Sequence, residues 1–303
     1  MGVTEMSADV QPQVTTINLA PEQSKWRRFV KVMLSRVVVI ISLLVLIGLF
    51  VMAMFAPYIA PYDPYEQNIV NSLQPPSSEH WLGTDQLGRD VLSRIIYGSR
   101  ASLLVGFSAV ALAGIGGVVL GMISGYFGGV VDGIIMRIVD ALIAIPAIVL
   151  ALSIGAAMGG GINNVIVALG FAMLPTYARL MRGQVLSVRQ MDYVVASELN
   201  GCSDFRTMFV HVLPNCIAPI IVLATMNLGV AILAEAGLSF LGLGVNPPQA
   251  AWGAMVNEGY QYLARLPLLS FAPGLCIVIV VMAFNIVGDA LRDALDPKLR
   301  GSL

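Results

Sequence analysis

The chain has 303 residues, of which 57% are hydrophobic and only 12% are charged, whereas roughly a quarter of the residues of an ordinary soluble domain are charged. This composition argues against a soluble enzyme and favours an integral membrane protein. The 17 basic and 18 acidic residues give a net charge of -1. The sequence therefore shows neither the basic surplus of a nucleic-acid-binding protein nor the acidic surplus of a disordered tail.

Long apolar stretches predict six transmembrane helices. A helix rises about 1.5 Å per residue and must cross about 30 Å of hydrocarbon, so about 20 apolar residues mark one span. Runs of this kind occupy residues 37–56, 101–127, 138–178, 212–234 and 267–288. The third run is long enough for two spans, and its glycine-rich centre at 158–164 predicts the turn between them.

The distribution of positive charge predicts the orientation. Lys and Arg accumulate in loops that stay in the cytoplasm, and 13 of the 17 basic residues fall on the side that carries both termini. Both termini are therefore expected in the cytoplasm. The predicted organisation is a cytoplasmic tail 1–36, a first transmembrane helix 37–57, an external segment 58–100 with an interfacial helix, a core 101–292 of five helices with a cytoplasmic loop 179–213, and a cytoplasmic tail 293–303.

Two acid–base pairs stand in the external segment. Asp85 precedes Arg89 by four residues, and Asp90 precedes Arg94 by four residues, which is the favourable order for such pairs on a helix. The spacing predicts a short external helix that lies flat before the second span and carries both pairs.

Small residues recur at every fourth position of the second span. The members of this stripe are Ala109, Ala113, Gly117, Gly121 and Gly125. Lipid tails compete with apolar side chains, so helices in a bilayer associate where small residues let two backbones approach closely. The stripe therefore predicts a tight contact between two helices inside the membrane.

The cytoplasmic loop 179–213 is far longer than a turn requires. Two short helical patterns within it meet at Gly201, where glycine permits a sharp turn without strain from a Cβ atom. Ser203 or Asp204 can cap the helix that follows. The pattern predicts a helix-turn-helix that projects from the membrane as a rigid knob for a groove on a partner protein.

This loop resembles the cytoplasmic signature of the transmembrane subunits of ATP-binding-cassette importers. That signature reads Glu-Ala-Ala, three residues, Gly, nine residues, then Ile-x-Leu-Pro. Valine replaces the glutamate here, and histidine replaces the isoleucine. The residues at the signature positions are Val195, Ala196, Ser197, Gly201, His211, Leu213 and Pro214.

Further motifs are similar to the permeases of dipeptide, oligopeptide and nickel importers. They occupy residues 83–94, 98–102, 238–244 and 285–297. Within that family, the long first external segment and the Leu-Arg-Asp-Ala-Leu-Asp-Pro sequence near the C-terminus look like the C-type permease of a heteromeric pair. The resemblance covers about residues 26–300.

The resemblance implies an all-α membrane protein with six transmembrane helices, the type I importer fold, in a bacterial inner membrane. It implies a second permease subunit that forms a heterodimer, two ATP-binding-cassette ATPases, an external solute-binding protein and the lipid bilayer as partners. ATP and Mg would be bound by the ATPases, because this chain has no Gly-x-x-x-x-Gly-Lys-Ser/Thr phosphate loop. We expect a non-catalytic subunit without a cofactor, metal site or nucleic-acid partner of its own.

Three sets of residues are candidates for function. Glu235, at the outer end of the fifth span, is a candidate for the translocation path, because an intramembrane charge is costly unless it pairs or faces water and Glu235 has no charged neighbour in sequence. The external pairs Asp85, Arg89, Asp90 and Arg94 either dock the solute-binding protein or simply cap the bundle. The residues that the resemblance assigns to ATPase coupling are Val195, Ala196, Ser197, Gly201, Leu213 and Pro214.

Several alternatives remain at the level of the sequence. The expected cargo is a dipeptide or oligopeptide, but nickel, glutathione or another small solute fits the same motifs. An ion-coupled secondary transporter would favour inverted repeats and broken helices with acids near the midplane, and the spans show no clear repeat. An intramembrane enzyme would need a catalytic constellation at membrane depth, which the sequence does not contain.

Overall fold

The computed structural model describes residues 30, 33–34 and 36–295. Apart from one isolated β-bridge between Thr84 and Asp90, the regular structure within these residues is helical. The principal helices are α1 Val37–Met54, α2 Val91–Phe127, α3 Gly129–Ile143, α4 Ala147–Met158, α5 Ile162–Arg189, α6 Asp192–Leu199, α7 Leu213–Phe240, α8 Trp252–Tyr260 and α9 Leu268–Leu295.

Five of the described helical stretches are long and apolar enough to cross a membrane. They are α1, α2, α5, α9 and the stretch Asp204–Phe240 that contains α7. The pair α3 and α4 supplies a sixth span if the two helices are counted as one. The all-α membrane fold is thereby confirmed. The end of the bundle that carries the predicted cytoplasmic loop is called the inner end below, and the opposite end is called the outer end.

The span formed by α3 and α4 is bent rather than straight, and it begins at Gly129, before the predicted start at residue 138. Its two parts, α3 and α4, meet at an angle of 90°. Pro146 stands directly before α4. Proline has no N–H to donate to the preceding turn and disfavours helical geometry in the residue before it, which favours the interruption of the helix at this position.

The predicted stripe of small residues packs α2 against α5. A Cβ atom on Gly117 would lie 2.4 Å from Cβ of Tyr177, and one on Gly121 would lie 2.4 Å from the carbonyl oxygen of Ala178. Both distances are well below van der Waals contact, so the two backbones can approach this closely only where glycine is present. The predicted helix–helix contact is confirmed, and α5 is its partner.

The external segment contains a turn in place of the predicted short helix. The Asp85 carboxylate accepts hydrogen bonds from the backbone N–H groups of Leu87 at 2.8 Å and Arg89 at 3.0 Å. Gly88 has φ 72°, a left-handed conformation that interrupts helical geometry. The prediction of a separate interfacial helix is therefore wrong, because Asp85 stabilises a local turn of its own backbone.

Asp90 defines the start of α2. Its carboxylate accepts hydrogen bonds from the backbone N–H and the hydroxyl of Ser93, both at 2.7 Å, which is typical of a helix N-cap. The helix begins ten residues before the predicted second span and has 37 residues, a length of about 55 Å. Because the hydrocarbon layer is only about 30 Å thick, α2 extends well beyond it.

The two predicted tails fall largely outside the described residues. Of tail 1–36, only residues 30, 33–34 and 36 are described, and of tail 293–303 only the first three. Helix α9 continues to Leu295, three residues past the predicted end of the core at 292.

Candidate functional site

Residues 192–214 form the helix-turn-helix that the sequence predicts. After α6, the N–H of Gly201 donates to the carbonyl of Glu198 at 3.0 Å, and the N–H of Cys202 donates to the carbonyl of Ser197 at 3.2 Å. These two bonds are typical of a Schellman motif, which needs a left-handed residue after the helix. Gly201 supplies that residue with φ 75°.

The second half of the 192–214 segment continues into the membrane without a break. Ser203 occupies the N-cap position, although its side chain makes no capping hydrogen bond. The stretch Asp204–Phe240 is one helix with a π-helical part at Thr207–Val212. Pro214, in the first turn of α7, stands two residues after this part and has no backbone N–H to donate. The helix that begins at Asp204 is therefore continuous with α7.

The six residues predicted for coupling divide into an internal and an exposed set. Ser197 is buried, and its hydroxyl lies 3.5 Å from that of Thr207, so it joins the two halves of the segment. Leu213 is half-buried. The exposed members are Val195, Ala196, Gly201 and Pro214.

The most exposed apolar side chains of the segment were missed by sequence reasoning. Leu199 is 83% exposed and Phe205 is 72% exposed. The ring of Phe205 lies 4.5 Å from that of Phe209. The available signal was a pair of aromatic residues four positions apart in a loop predicted to lie in water. Exposed apolar surface of this kind marks an interaction site. Leu199, Phe205 and Phe209 are together called the apolar tip below.

Helix α5 is tied to α3 by two ion pairs near its inner end. Arg182 binds the Asp132 carboxylate with two hydrogen bonds of 2.5 and 2.6 Å, a bidentate geometry that fixes direction as well as distance. Arg179 pairs with Asp140 of the same helix α3. The helix that leads into the 192–214 segment is therefore held in a defined position.

Glu235 lies inside the helix bundle near its outer end. The residue is completely buried. Its carboxyl oxygens accept hydrogen bonds from Ser239 at 2.7 Å and from Ser102 of α2 at 3.2 Å. A buried carboxyl group is tolerated when it is hydrogen-bonded in this way. The geometry makes Glu235 a link between α7 and α2.

Replacing Ser102 with alanine should weaken this link. Glu235 would lose one of its two hydroxyl donors while staying buried, at a cost of about 1–3 kcal/mol. A thermal melt of the purified protein should show a lower midpoint. Ser153→Ala is the control, because the Ser153 hydroxyl is exposed and bonds only to the carbonyl of Val149 within the described structure. Equal melting temperatures for the two variants would contradict the prediction.

A second polar cluster lies at the outer end, where α2 begins. Arg89 donates to Asp85 at 2.7 Å and to Glu258 of α8 at 3.2 Å. Arg94 donates to the same oxygen of Glu258 at 3.2 Å and lies 3.5 Å from Asp85. The arginines are only 3% and 1% exposed. Since buried charges require partners, this neutral group of four joins the external segment and α8 to α2.

The predicted pairing of Asp90 with Arg94 is wrong. The Asp90 carboxylate is occupied by the cap of α2 and lies 2.9 Å from Nδ1 of His80, and Arg94 binds Glu258, 164 positions away. The four residues predicted for docking are all buried, so they can support a docking surface but cannot form its contact face. They are Asp85, Arg89, Asp90 and Arg94.

Comparison with known proteins gives two family matches and several close relatives. Residues 117–301 match the model described as "Binding-protein-dependent transport system inner membrane component", and residues 24–76 match "N-terminal TM domain of oligopeptide transport permease C". The chain is 47% identical to the dipeptide transport system permease protein DppC of Escherichia coli K12 over 94% of this chain and 95% of the relative. It is 43% identical to the protein of the same name from Alkalihalophilus pseudofirmus over 91% of each chain. It is also 43% identical to the glutathione transport system permease protein GsiD of Pectobacterium atrosepticum over 92% of each chain.

Proposed function

The chain belongs to the family of binding-protein-dependent transport system inner membrane components, and from this membership we propose that it imports dipeptides as the C-type permease of a heteromeric importer. It is a multi-pass permease subunit of an ATP-binding-cassette importer. Membership implies a partner permease, ATPases and a solute-binding protein in general. The specific assembly that we propose has one different permease, two cytoplasmic ATPases and one external binding protein.

The proposed mechanism is alternating access driven through the 192–214 segment. When ATP closes the two ATPases, the segment moves with the groove that holds it, and α7 follows because its helix is continuous with the segment. The bundle then changes between inward and outward openings. ATP and Mg are bound by the ATPases, and this chain contributes no catalytic group or cofactor.

The apolar tip is the single observation that carries this proposal. Leu199 and Phe205 stand on either side of the Gly201 turn and are the most exposed large apolar side chains of the segment. A protruding apolar group on a rigid turn suits a groove on another protein, where buried aromatic and aliphatic anchors supply most of the binding energy. Val195 and Ala196 would lie at the edge of the same contact.

The orientation and the outer residues complete the proposal. Both termini and the 192–214 segment lie in the cytoplasm, as the distribution of Lys and Arg favours. The external segment, held in shape by the Arg89 and Arg94 cluster, supports docking of the binding protein. Glu235 contributes to the outer part of the translocation path, either directly or by fixing the distance between α2 and α7.

Substitution of the apolar tip tests the ATPase contact. Leu199→Glu and Phe205→Glu should each weaken binding of the ATPases by about 2 kcal/mol or more, about a 30-fold loss of affinity. Co-purification of the two ATPases with the tagged permease pair measures this loss. Val70→Glu is the matched control, because Val70 is 91% exposed but lies in the external segment. Full retention of the ATPases by both tip variants would rule out this contact.

A transport assay tests the cargo. Proteoliposomes that contain the complete importer and its cognate binding protein should accumulate radiolabelled alanyl-alanine with ATP. Glutathione is the second candidate, because a relative with 43% identity is named as a glutathione permease. Uptake of glutathione but not of alanyl-alanine would replace the peptide assignment and leave the permease role intact.

A further inference from the structure

Tyr126, at the inner end of α2, contacts both halves of the 192–214 segment. The residue is only 3% exposed. Its hydroxyl lies 3.0 Å from Oδ1 of Asp204 and 3.4 Å from Oε1 of Glu198. These two acids stand before and after the Gly201 turn. A single side chain of α2 therefore bridges the two helical parts of a segment that is more than 70 positions away in the chain.

Arg189, at the end of α5, holds Tyr126 from a second direction. Its guanidinium carbon lies 5.2 Å from the centre of the Tyr126 ring, which is a cation–π geometry. It also donates a hydrogen bond to the backbone carbonyl of Tyr126. Its Nε lies 3.9 Å from Oε1 of Glu198. Tyr126 is thus fixed between α5 and the 192–214 segment.

The carboxylates of Asp204 and Glu198 have different nearest donors. A tyrosine hydroxyl has one hydrogen to donate, so it cannot serve both acids at once. The shorter contact assigns that hydrogen to Asp204, while Glu198 has the Arg189 guanidinium beside it. Hydrogen bonds to ionised acceptors are stronger than neutral ones, so this small network holds the turn in one position relative to α2.

Helix α2 extends from this network to the outer end of the molecule. Ser102 stands 24 residues before Tyr126 in α2, and its hydroxyl donates a hydrogen bond to Glu235 of α7. Further out, Arg94 binds Glu258 of α8. One continuous helix therefore contacts the 192–214 segment at one end and the buried polar groups of α7 and α8 at the other.

We propose that Tyr126 is a positioning residue that transmits movement of the 192–214 segment to α2, in parallel with the direct connection to α7. This inference rests on the proposed function, since it presumes that ATPases move the segment. With the hydroxyl bond intact, α2 follows the segment, and both ends of α2 change position together. Without it, the segment can move while α2 stays behind.

The test compares variants of the complete importer in proteoliposomes with its binding protein and radiolabelled alanyl-alanine. Tyr126→Phe keeps the ring and the Arg189 contact but removes the hydroxyl. The ATPases should still co-purify and hydrolyse ATP, while alanyl-alanine imported per ATP hydrolysed should fall about five- to tenfold. Asp204→Ala removes the acceptor of the same hydrogen bond and should lower the import per ATP hydrolysed equally. Asp204→Asn retains an acceptor oxygen and should lower this ratio less.

Tyr177→Phe is the matched control, because it removes the hydroxyl of another buried tyrosine and no hydrogen bond of the described structure joins that hydroxyl to the 192–214 segment. A transport-to-hydrolysis ratio for Tyr126→Phe equal to that of Tyr177→Phe would overturn the inference. Loss of the ATPases from Tyr126→Phe would also overturn it, since Tyr126 would then serve assembly. Failure of the proposed function looks different, because the wild-type complex itself would neither retain ATPases nor import the dipeptide.

Discussion

Replacing Gly201 with valine should lower peptide uptake at least about tenfold while the chain remains in the membrane. Gly201 has φ 75°, and no described atom lies within 4 Å of the place where its Cβ would be. The effect therefore comes from backbone conformation and not from a collision. A residue with a branched Cβ in this conformation costs about 1–3 kcal/mol, so the turn after α6 should open and displace the apolar tip.

The measurement is uptake of alanyl-alanine together with ATP hydrolysis stimulated by the binding protein. We expect uptake and stimulated hydrolysis each to fall at least about tenfold, because only a minor fraction of the molecules would have the apolar tip correctly placed. Gly201→Asn should retain most activity, since asparagine tolerates the left-handed conformation. Gly48→Val makes the same side-chain change at an exposed, unstrained position of α1 and should be neutral. Wild-type uptake by Gly201→Val would remove this turn from the coupling mechanism.

Replacing Arg94 with leucine should strongly destabilise the folded chain and lower its yield. The substitution leaves Asp85 and Glu258 with Arg89 as their remaining partner, so a neutral cluster becomes negatively charged while most of it stays buried. Removing one partner of a buried ion pair typically costs about 3–5 kcal/mol. That cost is a large fraction of the about 5–15 kcal/mol by which most proteins are stable. Yield and melting temperature of the detergent-purified protein measure the loss.

A double substitution separates charge balance from loss of packing. Arg94→Leu with Glu258→Leu leaves the neutral pair of Asp85 and Arg89, which are 2.7 Å apart. We expect the double variant to be more stable than either single variant, because no charge is then left without a partner. Arg100→Leu, an exposed arginine of α2, is the control and should change stability little. Additive losses in the double variant would contradict the account of a charge-balanced cluster.

The local features of the 192–214 segment were predictable because they depend on neighbours in the chain. A glycine between two helical patterns predicted the turn, and the structure shows Gly201 in the left-handed conformation. The four-residue spacing of Gly117 and Gly121 likewise predicted a close helix contact. This spacing could not identify α5 as the partner helix, because it describes only the surface of α2.

The polar contacts were predicted less well, because charged groups pair with residues that are far away in the sequence. Four-residue spacing correctly paired Asp85 with Arg89 but wrongly placed them on a helix, and it wrongly paired Asp90 with Arg94. The unsatisfied N–H groups at the start of α2 compete for the Asp90 carboxylate. Arg94 then binds Glu258, which only the packing of α8 brings within reach.

By itself, the sequence determined the membrane-spanning character, the helical fold and the position of the turn at Gly201, because these depend on apolar length, hydrogen bonding within a helix and local backbone preference. Only the tertiary structure decided that Glu235 joins α7 to α2, that Tyr126 joins α2 to the 192–214 segment, and that Ser197 is internal while Leu199 is exposed. These relations depend on which helix faces lie against each other. Segments far apart in the chain set that arrangement through close packing and the need of every buried charge for a partner.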